Sequence, residues 1–125
     1  MTKEPEERNN KPKPIWTEGH KICKSLKEGS VSSVELMENI YSRIEFINPQ
    51  VNAIVNLLPK EEALSLAKEA DEVPVPDRGL LHGLPMAPKD AVAVKGFPTT
   101  LGYKPFADRI ETNDDLLAAR LRQAG

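Results

Sequence analysis

Apolar residues recur at three- and four-residue spacing in one stretch of this chain, where Leu36, Met37, Ile40, Ile44 and Ile47 form a single helical stripe. Ahead of it, Ser32-x-x-Glu35 is a capping box, in which serine and glutamate side chains take backbone N–H groups that a helix start leaves unpaired. The spacing predicts a helix over 33–47, closed by Asn48-Pro49 because the residue before a proline is pushed out of the helical region. A shorter helix is expected before it, capped by Thr17, running to about Glu28 and stopped by Gly29 at the position after the helix. Ile22, Cys23 and Leu26 would share its packed face.

Val51 to Leu58 alternates instead: Ala53, Val55 and Leu57 fall on one side, Asn52, Ile54 and Asn56 on the other, which predicts a short strand. Pro59 is suited to open a third helix with Leu64, Ala67 and Ala70 on its buried stripe. Glu72 to Arg78, with two prolines, reads as a connector, and Leu84 to Val94 as strand material broken by turns, with Ala91-Val-Ala-Val94 fully buried. Thr112-Asn-Asp-Asp115 caps a last helix through Ala124, with Leu117 and Leu121 one turn apart. The order helix, helix, strand, helix, strand-bearing turns, helix is an α/β fold class. Residues 1–14, charged and proline-bearing without apolar periodicity, are expected to be a disordered lead, and 15–125 one folded portion.

Composition narrows this picture. Leu, Ile, Val and Phe make up about a quarter of the 125 residues, enough for a core. Aromatic residues are 5% and mean hydropathy is −0.44, so that core is lean. The formal charge of −2, with both signs interspersed, gives neither a nucleic-acid footprint nor a polybasic membrane patch. No apolar run approaches the length of a membrane helix, and Met1 to Lys13 lacks the apolar stretch of a signal peptide, so a cytoplasmic protein is expected. Cys23 is the single cysteine and suits a packed face better than a nucleophile's role; His20 and His82 lie far apart without further ligands, so no metal is expected.

One block carries chemistry. Gly79-Leu-Leu-His82-Gly-Leu-Pro-Met-Ala-Pro-Lys89-Asp90 sets a lysine in an apolar, turn-rich segment, followed by Lys95-Gly-Phe-Pro-Thr99-Thr100-Leu-Gly102. Upstream stand Gly29-x-x-Ser32-Ser33-x-Glu35-Leu36, then Arg43-Ile-Glu-x-x-Asn48-Pro49-x-x-Asn52-Ala53, then Ala67-x-x-Ala70-Asp71; Arg120-Leu-Arg-x-Ala-Gly125 closes the series. In order and spacing these resemble the N-terminal part of the amidase signature family, serine hydrolases that cleave amides with a Ser–cis-Ser–Lys triad. The resemblance implies that Lys89 is the triad lysine, that the fold is the N-terminal helices and first strands of the family's mixed-sheet domain, and that no cofactor or metal takes part. The substrate it implies is a small-molecule amide.

In the family the lysine acts on a bridging serine held by a cis peptide bond, and that serine takes the proton from the nucleophile. A lysine of ordinary pKa ~10.4 is uncharged in roughly one molecule in 2500 at pH 7, so burial is the expected means of making it a base. Leu84, Met86, Ala87, Ala91 and Val92 are the apolar neighbours that would provide it, while Asp90 would favour the charged form. No serine follows Ser65, so the chain is expected to hold the lysine alone, to stop before the serine-bearing segment, and to be inactive by itself. Three readings stand side by side: an amidase of small carboxamides or aryl amides, the amidase-type A subunit of a tRNA-dependent amidotransferase, and a non-catalytic truncated product or separate chain that only binds a partner or ligand. The isolated fragment is in addition expected to associate with itself. Taken without the resemblance, Pro-Lys-Asp is a surface turn. Asp90 is expected to be a structural partner, His82 to brace a turn, and Thr99 and Thr100 either to line the site or, the favoured reading, to hydrogen-bond a turn after Pro98. Tyr103, where the family usually has serine, changes the wall of the pocket.

Overall fold

The computed structural model describes residues 18–125; the expected lead over 1–14 and the Thr17 cap lie outside them. Among the described residues four α-helices form: α1 (Gly19–Glu28), α2 (Ser33–Val51), α3 (Lys60–Asp71) and α4 (Leu116–Gln123), with 3-10 turns at Val75–Asp77 and Lys104–Phe106. α1 ends where expected. Gly29 takes the left-handed conformation (φ 74°), and its N–H and that of Ser30 return to the carbonyls of Leu26 and Ser25.

At the start of α2 the Ser32 hydroxyl accepts the Glu35 N–H at 3.0 Å. The Asp71 carboxylate, from the last residue of α3, accepts the Ser33 and Val34 N–H groups at 2.7 and 3.1 Å. Three N–H groups that a helix start leaves open are thereby paired, and α2 and α3 are tied together where they pack. Ala63 and Ala67, one turn apart on α3, are buried, as are Leu36 and Tyr41 on α2. The small alanines allow close approach of the two helices.

α2 runs through Pro49 to Val51, past its expected end, and closes at Asn52 in the left-handed region (φ 48°). Proline in the last turn forfeits one backbone bond there, and the Asn48 side chain stabilises the exit instead. Its amide donates to the Ile54 carbonyl (2.9 Å) and its oxygen accepts the Ile54 N–H (2.8 Å). That pair of hydrogen bonds curls the segment, and the Tyr41 hydroxyl donates to the Leu58 carbonyl at its far end. The strand expected over 51–58 is therefore absent: Val55 and Leu57 are exposed, and Ile54 and Asn56 are the partly buried positions.

Leu84 to Val94 forms no strand either. Ala91 is exposed and Val92 to Val94 only half-buried, against the full burial expected. Among the described residues the nearest approach to a sheet is the antiparallel bridge between Pro98 and Ile110. Gly96 N–H donates to Glu111 O, Glu111 N–H to Phe97 O, and Thr99 N–H to Arg109 O. Pro98 has no N–H to extend this pairing, and among the described residues no third segment adds a further strand bridge to it. The helical half of the α/β expectation is met here; the strands are not.

Arg78 links the helices from outside. Its guanidinium donates to Leu26 O at the end of α1 (2.7 Å), to Asp71 O at the end of α3 (3.2 Å) and to Val73 O (3.0 Å). α4 starts at Asp115, whose carboxylate accepts the Ala118 N–H at 2.9 Å, the expected cap. Ala118 is its buried residue, whereas Leu117 is exposed.

Candidate active site

The segment carrying the lysine is threaded between the start of α2 and the end of α4. Gly79 passes so close to α4 that a Cβ there would lie 2.2 Å from the Ala124 carbonyl oxygen, and the Leu81 N–H donates to that same oxygen at 2.9 Å. Gly83 (φ 64°) crosses the start of α2, where a Cβ would fall 2.0 Å from Ser33 Oγ. Between these two glycines His82 is buried and its Nε2–H donates to Ala70 O at 2.9 Å. It braces the turn against α3, as expected.

Ser33, Asp71 and His82 thus come near one another without forming a nucleophile and its base. Asp71 is engaged with the N–H groups of Ser33 and Val34, His82 with Ala70, and the buried Ser33 hydroxyl has no hydrogen-bond partner among the described residues. A relay needs the base bonded to the nucleophile. None is made here.

Past Gly83 the chain reaches Lys89, which is exposed, as are Met86, Ala87 and Ala91 beside it; Leu84 and Val92 are half-buried. The apolar enclosure expected of these neighbours is not formed by the described residues. The backbone at Lys89 is nonetheless well defined, since its carbonyl accepts the N–H groups of Ala91 and Val92 at 2.7 and 2.9 Å.

Asp90 turns the other way, toward the Thr-Thr-x-Gly run. Its carboxylate accepts the Thr100 N–H at 2.9 Å and the Thr100 hydroxyl, and its carbonyl accepts the Leu101 N–H at 3.3 Å. The Thr100 hydroxyl holds the Asp90 carboxyl below its usual range, its N–H adds to this, and partial desolvation opposes both. Thr100 is accordingly a turn residue, as expected. Thr99 is buried beside it, and its hydroxyl has no partner among the described residues. Tyr103 is mostly exposed and meets the Phe106 ring edge-on at 5.1 Å, while the Arg109 guanidinium lies over that ring, 5.4 Å from its centroid.

A second carboxylate secures the same region. Asp114 accepts the Lys95 N–H at 2.8 Å and the Arg122 Nε–H at 2.7 Å, and the Lys95 bond is the main reason its carboxyl lies below the usual range. Asp71, Arg78, Asn48 and Asp114 were not singled out for these contacts by the sequence patterns. Only Asp71 left a signal, as an acid closing one helix at a fixed place in a series that also contains the start of another.

Residues 35–125 match the amidase family. The chain belongs to the amidase family. The match begins in the first turn of α2 and takes in the Lys89 turn, the Asp90 contacts and α4. Among relatives in this family, an acylamidase of Rhodococcus erythropolis is 37% identical over 115 residues, covering 88% of this chain and 23% of that protein. The A subunit of glutamyl-tRNA(Gln) amidotransferase from Geobacter metallireducens is 36% identical over 107 residues, 85% of this chain and 22% of that one. Its counterpart from Exiguobacterium sibiricum is 32% identical over 100 residues, covering 80% and 20%. The chain therefore spans about a fifth of the length of the amidase-family proteins it matches. Among the described residues no helix is long and apolar enough to cross a membrane, and no group of three or more histidine, cysteine, aspartate or glutamate residues is placed to hold a metal ion.

Proposed function

We propose that this chain is the lysine-bearing N-terminal part of an amidase that hydrolyses carboxylic amide C–N bonds, with Lys89 as the lysine of a Ser–cis-Ser–Lys triad. The observation that carries the reading is the family match over residues 35–125, which includes the Lys89 turn. In this reading the neutral Lys89 amine takes a proton from the bridging serine, which takes one from the nucleophilic serine attacking the amide carbonyl. The serines come from sequence outside these 125 residues, and the chain alone does not turn over. The whole domain has the α/β class, and exposed apolar residues such as Leu80, Ile110 and Leu116 are covered by what completes it. Without that cover the 125 residues associate with themselves. The protein is cytoplasmic and uses neither cofactor nor metal.

The test is to express the gene product together with any sequence that follows Gly125 and to assay aliphatic and aryl amides. Hydrolysis that Lys89→Ala removes supports the reading, and hydrolysis that Lys89→Ala leaves intact overturns it. A second reading, the A subunit of a tRNA-dependent amidotransferase, is favoured by the 36% identity to the Geobacter metallireducens protein. Glutamine hydrolysis that depends on partner subunits, in place of small-amide hydrolysis, would select it.

A further inference from the structure

The residue after Lys89 is tied to the far side of the site by main chain and side chain together. The Asp90 carboxylate takes both the N–H and the hydroxyl of Thr100, and its carbonyl takes the Leu101 N–H. Asn56 Nδ2, from the segment that Asn48 curls off α2, stands 3.5 Å from Asp90 Oδ1 and 3.5 Å from the Pro98 carbonyl. Immediately before Asp90, the Lys89 carbonyl closes the turn to Ala91 and Val92. The Lys89 side chain itself remains exposed.

The clasped segment is in an unfavourable conformation. Leu101 has φ 54°, the left-handed region that a leucine side chain disfavours, and Gly102 follows at φ 69°. Thr100 Oγ1 accepts the Gly102 N–H at 3.1 Å while donating to Asp90, so one hydroxyl serves both sides of the bend. Such conformations persist where the surroundings over-determine them, and they gather at sites that need a fixed geometry. A carboxylate occupied by an N–H and a hydroxyl is poorly placed to carry a proton itself. It is well placed to hold a turn.

We propose that Asp90 is a positioning residue for Lys89: its clasp on Thr100 sets the turn from which the Lys89 amine is presented to its partner. The proposal rests on the amidase reading for the partner's identity, but the clasp is a property of this chain. A reacting group displaced by about 1 Å can lose on the order of 100-fold in rate, so the clasp should act on kcat and leave substrate binding nearly unchanged.

The first measurement uses the 125-residue chain and does not depend on catalysis. Amide hydrogen exchange is followed residue by residue in the parent, Asp90→Asn, Thr100→Val and Thr100→Ser. Hydrogen bonds to a charged group are strong enough that losing them should speed local exchange by about tenfold or more. The expected result is such a rise at Thr100 and Gly102, and also at Ala91 and Val92, in Asp90→Asn and Thr100→Val. Helices α2 and α3 should be unaffected, and Thr100→Ser, which keeps the hydroxyl, should match the parent. Faster exchange confined to Thr100 and Gly102, with Ala91 and Val92 within about twofold of the parent, overturns the proposal. So does a uniform rise through α2 and α3.

The second measurement uses the gene product with any sequence that follows Gly125. Asp90→Asn and Thr100→Val should lower kcat by about tenfold or more with KM within about threefold, and Thr100→Ser should restore the parent rate. Unchanged kcat in a variant whose Ala91 and Val92 exchange has risen overturns the proposal. Absence of activity in the parent would defeat the amidase reading instead, and the exchange result would then decide on the clasp.

Discussion

The Asp71 carboxylate accepts the Ser33 N–H at 2.7 Å, joining the end of α3 to the start of α2 across 38 residues of sequence. Its other oxygen takes the Val34 N–H at 3.1 Å. An acid at a helix N-terminus supplies acceptors for unpaired N–H groups and complements the helix dipole. Here it does so from a second helix, so one side chain both caps α2 and fixes how α3 lies against it. Asp71→Ala should cost about 1–2 kcal/mol, the range of a lost cap, measured as a lower midpoint in urea unfolding. Asp71→Asn, which keeps an acceptor oxygen, should cost less. Equal stability of the alanine variant and the parent would show that the contact contributes nothing.

Gly83 and Ser33 form the other junction at this point. Alanine at Gly83 must adopt φ 64° and place its Cβ 2.0 Å from Ser33 Oγ. Gly83→Ala should therefore destabilise by roughly 1–3 kcal/mol through strain and overpacking. Ser33→Ala removes the clashing oxygen and an unpartnered buried hydroxyl together, and should recover part of that loss in the double variant. A double-mutant cycle by thermal or urea unfolding gives the coupling directly; a coupling of zero would mean that the loop and α2 do not touch here in solution.

Acid should loosen the region around Lys89 selectively. Asp90 and Asp114 are both held below the ordinary carboxylate value of 3.8, Asp90 chiefly by the Thr100 hydroxyl and Asp114 chiefly by the Lys95 N–H. A carboxyl lowered in the folded state contributes stability that is fully present above its unfolded value and is lost as pH falls through its folded value. The contribution should thus be complete above about pH 5 and disappear below 3.8. Chemical shifts of Thr100 and Lys95 amides should follow that titration, and Asp90→Asn should abolish it at Thr100 while sparing Lys95. A Thr100 shift that is flat through this range in the parent would contradict the contact.

The helices were legible because their signals are local. Ser32, Gly29 and Asp115 act on N–H and carbonyl groups within a few residues, and the stripe of Leu36, Ile40 and Ile44 needs only helical spacing. The strands were not, because a strand exists only through its partner. Val51 to Leu58 alternates as a strand should, yet Asn48 captures Ile54 and bends the segment away, and nothing in the spacing of Asn48 and Ile54 announces that bond. Pro49 shows the limit of a local rule in the other direction, since α2 continues two residues beyond it. At the site, the resemblance singled out Lys89 and the residues alone suggested a turn at Thr100. The burial expected around Lys89 was read from apolar neighbours, and those neighbours face solvent at Met86, Ala87 and Ala91. Arg78 was invisible in the pattern because its three acceptors are main-chain carbonyls, which carry no side-chain signal, and one of them, Leu26 O, lies 52 residues away.

The role of Lys89 is tested most directly by grafting this chain into the Rhodococcus erythropolis acylamidase, in place of the stretch over which the two are 37% identical. The graft supplies sequence of the family that these 125 residues do not contain, and amide hydrolysis is the readout. The expected result is a folded, active graft in which Lys89→Ala lowers kcat by about 10³-fold or more. Lys89→Arg should fail to the same degree, because a guanidinium stays protonated and cannot act as the base. A folded graft that keeps its rate within a few-fold in Lys89→Arg would contradict the assignment of Lys89 as the triad lysine.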